Sequence, residues 1–143
     1  MSIVTKRKVI VTLGVILLFA GILIDVALPY FYVKHDTNLE VSLNEKVKEG
    51  HRDSIFLGDL ITYDWKRAYF FHPYSEEADM KKTLGIKFHD PVDMSLRDDI
   101  ELLVVVKEDD SFEYAKIQLD YGMASAKDDF LTPENDAIEI THP

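Results

Sequence analysis

Cysteine is absent from this 143-residue chain, and glycine and proline are scarce, at six and five residues. The first absence excludes a disulfide framework, a thiol nucleophile, a thiolate metal site and an anchor made by lipidating a cysteine. The chain also lacks a Pro/Gly/Ser-rich linker, an internal repeat and a low-complexity tract. It has no G-x-S-x-G elbow, no phosphate-cradling glycine loop and no H-E-x-x-H pair. Positive charge is in deficit: 16 Lys+Arg stand against 26 Asp+Glu, a net charge of −10.

The deficit is uneven. Residues 1–35 carry Lys6, Arg7, Lys8 and Lys34 against Asp25 alone, a balance of +3, whereas residues 36–143 hold 12 basic and 25 acidic residues, a balance of −13. An acidic body has no basic face to displace counterions from a phosphate backbone, so a nucleic-acid partner is not expected. The acidity exceeds what solubility needs, and it would repel anionic lipid and steer a basic protein toward the domain.

Val9 to Ile24 is an uncharged run of 16 residues, interrupted by Asp25 and resumed to Val33. As helix, residues 9–33 would reach about 37 Å, enough for a hydrocarbon core of about 30 Å. A soluble domain of this size could not cover such a run on all sides. The spacing therefore predicts a single transmembrane helix over 9–33. The basic cluster in residues 1–8 places the N-terminus in the cytoplasm and residues 36–143 outside. Tyr30, Phe31 and Tyr32 fall at the outer headgroup level, with Asp25 near the same interface, a partner-helix contact being the alternative, and Pro29 one turn beyond it. Gly14 and Gly21 can share a face for close helix packing. A cleaved signal peptide needs a small-x-small site, which neither Ala20-Gly21 nor Ala27-Leu28-Pro29 supplies well, so an uncleaved signal-anchor is the better reading.

Residues 36–143 suffice for one compact domain. Leu39, Leu43 and Val47 at four-residue spacing, with Gly50 as a stop, predict a helix over 37–49, although Leu39, Val41 and Leu43 also alternate as in a strand. Residues 54–60 read as strand or turn, and 65–72 (WKRAYFFH) as a strand ending at Pro73. Ser75 offers an N-cap for a helix with Glu76, Glu77 and Asp79 first, Lys81 and Lys82 later and Gly85 beyond, resting on Ala78, Met80 and Leu84. Residues 100–106 form a buried strand, joined by the polar loop 107–110 to an alternating strand over 111–119. Residues 121–130 bend or form a short helix, and 137–140 add an edge strand. The sum is an α+β domain: an antiparallel sheet with one or two helices packed on it.

Residues 64–85 read DWKRAYFFHPYSEEADMKKTLG. This Trp…Tyr-x-Phe-x-Pro-Tyr-Ser…Leu-Gly pattern, about 22 of 143 residues, resembles a signature of small membrane-anchored or exported bacterial proteins. The resemblance implies an extracytoplasmic α+β domain and carries no activity. Physically the stretch is a strand–turn–helix unit, with Trp65, Tyr69, Phe71 and Tyr74 serving as packing residues. Its candidate partner-binding residues are Trp65, Tyr69, His72 and Tyr74, because an exposed aromatic rim would make a binding hot spot.

Catalysis finds less support. His72 could pair with Asp64 or Glu76 beside Ser75, but Ser75 is better explained as a helix cap. His35, His51, His72, His89 and His142 are scattered; His89, Asp90 and Asp93 form the closest cluster, in a turn set by Pro91. The pairs Asp98-Asp99, Asp109-Asp110 and Asp128-Asp129 lack a calcium-loop pattern, leaving at most loose divalent-ion binding. We therefore expect no cofactor, no metal site and no catalytic residues. The expected function is a membrane-anchored domain that binds a protein partner, with a basic partner favoured by its acidity. An immunity-type protein that neutralises a secreted toxin is the alternative, and an envelope hydrolase ranks third.

Overall fold

The computed structural model describes residues 2–50 and 54–143, and for residues 25–32 the backbone only. The side chains of Asp25, Pro29, Tyr30, Phe31 and Tyr32, and all of His51, lie outside the described residues.

Helix α1 spans Ile3–Tyr32, 30 residues and about 45 Å. Ser2 caps it, its hydroxyl accepting from the Thr5 N–H at 3.4 Å. The basic cluster thus occupies the helix's first turns and is not a separate tail. Ile3–Ile24 is long and apolar enough to cross a membrane, and its side chains are uncovered by the rest of the chain. Val33 leaves the helix and opens strand β1 (Val33–His35) with no intervening linker.

Helix α2 (Thr37–Glu49) follows at once. Asp36 Oδ1 accepts the Leu39 N–H at 2.9 Å, and Gly50 ends the helix in the left-handed region at φ 65°. Leu39, Leu43 and Val47 are fully buried, so the helical spacing prevails over the alternating one.

The domain is built on a four-stranded sheet in the order β1-β5-β4-β3, with β3 at Trp65–Phe71, β4 at Ile100–Lys107 and β5 at Phe112–Gln118. It is antiparallel except that β1 runs parallel to β5. β4 is central and covered on both faces, which is why its sequence is continuously apolar. Leu103 and Val105 face a core shared with α2, whereas Leu102, Val104 and Val106 face Met80 of α3 (Glu77–Leu84) and Phe88. A second, three-stranded antiparallel sheet, β2-β7-β6, covers the α2 side; its strands are Ile55–Phe56, Ala137–Thr141 and Met123–Ala126.

The α+β architecture holds, with four local corrections. Residues 121–130 contain strand β6, whose short MASA sequence has weak strand character. β7 is the centre of its sheet, not an edge. The N-cap of α3 is Glu76; Ser75 Oγ instead donates to the His72 carbonyl at 2.7 Å. Ala78 is exposed, so α3 rests on Met80 and Leu84.

Strand direction places the loops. β1 leaves α1 and β5 runs with it, so the 108–111 loop and the start of β3 lie at the end of the sheet where α1 joins. The end of β3 and the start of β4 lie at the opposite end.

Candidate functional site

At that opposite end, β3 hands over to Pro73 and Tyr74. Tyr74 adopts a left-handed backbone, φ 65°, which a bulky residue adopts only under constraint. Its N–H supplies the constraint, donating to the Met94 carbonyl at 3.0 Å and to the Arg97 carbonyl at 3.2 Å. The Tyr74 side chain stays 63% exposed, and Leu96, on the turn that holds it, is 77% exposed.

That turn is itself locked. The Asp90 carboxylate accepts the Val92 N–H at 3.1 Å and the Met94 N–H at 2.6 Å. Glu77, on the first turn of α3, accepts the Asp90 N–H at 3.0 Å and meets His89 Nδ1 at 3.1 Å. Burial pushes the Glu77 carboxyl up, but Lys81, the Asp90 N–H and His89 outweigh it and hold the group below its usual range. The His89, Asp90 and Asp93 cluster is thus spent on loop structure: Asp90 within the turn, His89 on Glu77, and Asp93 at a positive φ of 54°.

Two residues before Tyr74, His72 pairs with a residue outside the 64–85 stretch. Its Nδ1 stands 2.5 Å from Oε1 of Glu101, the fully buried carboxylate at the start of β4. Glu101 Oε2 accepts the Ala124 N–H of β6 at 2.8 Å, so one carboxylate ties the two sheets together. Burial raises the Glu101 pKa; the Ala124 N–H and His72 oppose the rise without cancelling it. The His72 side chain is 56% exposed. Glu101, rather than Asp64 or Glu76, is the carboxylate that meets His72. Ser75 is directed at a backbone carbonyl, so the geometry forms no Ser-His-carboxylate relay.

The four candidate residues separate. A β-bulge between Trp65 and Arg67 turns Trp65 onto the α2 face, beside Ala68, while Tyr69 packs on the opposite face with Met80 and Phe88. Both are buried, so they form no rim with Tyr74. His72 and Tyr74 stay near neighbours along the chain, and the turn carrying Leu96 holds the Tyr74 backbone through the Met94 and Arg97 carbonyls. Neither Glu101 nor Leu96 emerged from the sequence, although one carboxylate within the otherwise apolar run IELLVVV was a signal. Glu76, Asp93, Asp98, Asp99 and Asp120 surround this end of the sheet in sequence and fold, with Arg97 held by Asp99 in a two-pronged pair at 2.7 and 2.8 Å.

No family model matches the chain, and comparison with curated proteins and with solved structures finds no match to it.

Proposed function

We propose that the chain is a single-pass membrane protein whose acidic domain, outside the cytoplasm, binds another protein and does no chemistry. The observation that carries this reading is Tyr74: a solvent-exposed aromatic ring on a left-handed backbone that two hydrogen bonds hold in place. A constrained residue that gains no burial from its constraint is arranged for something outside the fold. The exposed Leu96 sits on the turn that holds the Tyr74 backbone, the half-exposed His72 lies two residues before it, and the acidic residues at this end of the sheet favour a basic partner surface. An aromatic anchor with an aliphatic neighbour, in a polar surround, is the composition of a binding hot spot.

The membrane part of the proposal rests on Ile3–Ile24 and on Lys6, Arg7 and Lys8 at its start, which favour a cytoplasmic N-terminus. Two measurements test the proposal. Protease added to intact cells should remove the domain and spare α1; complete protection would overturn the orientation. The full chain in lipid nanodiscs should capture one stoichiometric partner from secreted and envelope proteins, with an on-rate that falls as salt rises. Tyr74→Ala should lose that partner while remaining folded. Capture that survives Tyr74→Ala and Leu96→Asp would sink the assignment of the site.

A further inference from the structure

We propose that the loop carrying Ile86 is a second membrane contact, dipping into the headgroup region of the bilayer that holds α1. The inference rests on the reading of α1 as a membrane anchor. Ile86 is 88% exposed, more than any other large apolar side chain among the described residues.

A built turn holds it outward. Gly85 has φ 107° and donates its N–H to the Lys81 carbonyl at 2.9 Å, ending α3. The Phe88 N–H returns to the Gly85 carbonyl at 3.1 Å, and the Phe88 ring is buried edge-on against Phe112 at 5.5 Å. With α3 and Phe88 fixed on either side, Ile86 has only the outside to face.

The position of this loop identifies what it faces. α3 starts beside Tyr74 and runs back along the sheet, so its last residues reach the end where α1 joins. There Leu84, Gly85, Ile86 and Lys87 border a cleft of about 310 Å³ with Phe112 and Arg67. Phe112 is the register partner of Val33, the first residue after α1, and Val33 packs on the same cluster as Phe88 and Leu84. The loop is therefore level with the point at which the chain leaves the helix. If α1 spans the bilayer to Tyr32, Ile86 stands at the headgroups.

Charge agrees with this placement. The chain's acidity would hold it off an anionic surface, but Arg67 and Lys87 flank this cleft and Asp110, its carboxylate, is paired with Lys66 at 2.5 Å. The 108–111 loop adds Glu108 and Asp109 to this end, but Lys66, Arg67, Lys87 and Lys107 stand with them. Glu76, Asp93, Asp98, Asp99 and Asp120 at the Tyr74 end have Arg97 among them, so repulsion from anionic lipid is stronger at the Tyr74 end. An aliphatic side chain between cationic neighbours is the arrangement that enters an interface.

The absence of cysteine makes the test clean. Ile86→Cys and Leu96→Cys each give the full chain one labelling site, at opposite ends of the sheet, for a polarity-sensitive fluorophore. In nanodiscs, the label at position 86 should shift to the blue and be quenched by a headgroup-bound quencher, while the label at 96 does neither. Equal, water-like emission at both positions with no quenching would overturn the proposal. Failure of the unlabelled chain to enter nanodiscs would overturn the anchor reading itself.

Discussion

His72 Nδ1 and Glu101 Oε1 meet at 2.5 Å, joining a half-exposed imidazole at the end of β3 to a fully buried carboxylate at the start of β4. Burial raises the Glu101 pKa above 4.5, its ordinary value, so the folded state favours the protonated form. Stability from that preference is fully present below the unfolded pKa and is lost as pH rises through the folded pKa. Glu101→Gln, which keeps an acceptor for the Ala124 N–H, should therefore be at least as stable as the parent at pH 7. Its advantage should vanish as pH falls toward 4.5. Glu101→Ala, which orphans the Ala124 N–H, should cost about 1–3 kcal/mol at either pH. Denaturant unfolding of the full chain in micelles over this pH range checks all three.

The exposed edge of β5 is closed by two helix side chains. β1 pairs with residues 112–114, and α2 takes over where β1 ends. Glu40 Oε2 accepts the Lys116 N–H at 2.9 Å, Asn44 Nδ2 donates to the Lys116 carbonyl at 2.7 Å, and Asn44 Oδ1 accepts the Gln118 N–H at 2.8 Å. The helix thus supplies the groups a neighbouring strand would, and no pairing edge is left there for aggregation. Asn44→Ala should cost about 1–3 kcal/mol. Asn44→Asp keeps the acceptor but sets a carboxylate oxygen against the Lys116 carbonyl, so it should not restore stability. Hydrogen exchange separates the two: Gln118 N–H protection is expected to survive in Asn44→Asp and fall in Asn44→Ala.

This edge closure, and the buried pair before it, mark where the sequence stopped being readable. Elements set by local periodicity were legible: α2 runs over 37–49 as its four-residue spacing and Gly50 place it, and β4 announces itself through Ile100–Val106. What depends on partners distant in sequence was not. Asn44 meets Lys116 and Gln118, and Glu101 meets Ala124 of a strand too short and too small in its side chains to show a pattern. The site was half legible, because His72 and Tyr74 are local neighbours whereas Leu96 reaches Tyr74 only through the Met94 and Arg97 carbonyls.

The bulge at the start of β3 makes Trp65 a residue of the fold. A strict two-residue period would set Trp65 on the same face as Tyr69, but the extra residue turns it into the cluster containing Leu103 and Leu131. Trp65→Ala should cost about 3–5 kcal/mol, with loss of the cooperative unfolding transition in the weakest case. Partner capture should then fall in proportion to the unfolded fraction and no further. A Trp65→Ala chain that stays fully folded yet loses capture would restore Trp65 to the binding surface.

Tyr74 separates strain from contact. A bulky side chain in the left-handed region costs about 1–2 kcal/mol, and glycine there costs almost nothing sterically. Glycine also loses more backbone freedom on folding, by about 0.5–1 kcal/mol, so the two effects partly offset. Tyr74→Gly should therefore unfold at nearly the same denaturant concentration as the parent, or slightly higher. Both hydrogen bonds from residue 74 are retained, because they use the backbone N–H. If the ring is the anchor for a partner, the same variant should weaken binding by tenfold or more, as truncated hot-spot aromatics do. A stable Tyr74→Gly chain that binds undiminished would mean the ring is incidental, and that the locked turn serves only to start α3.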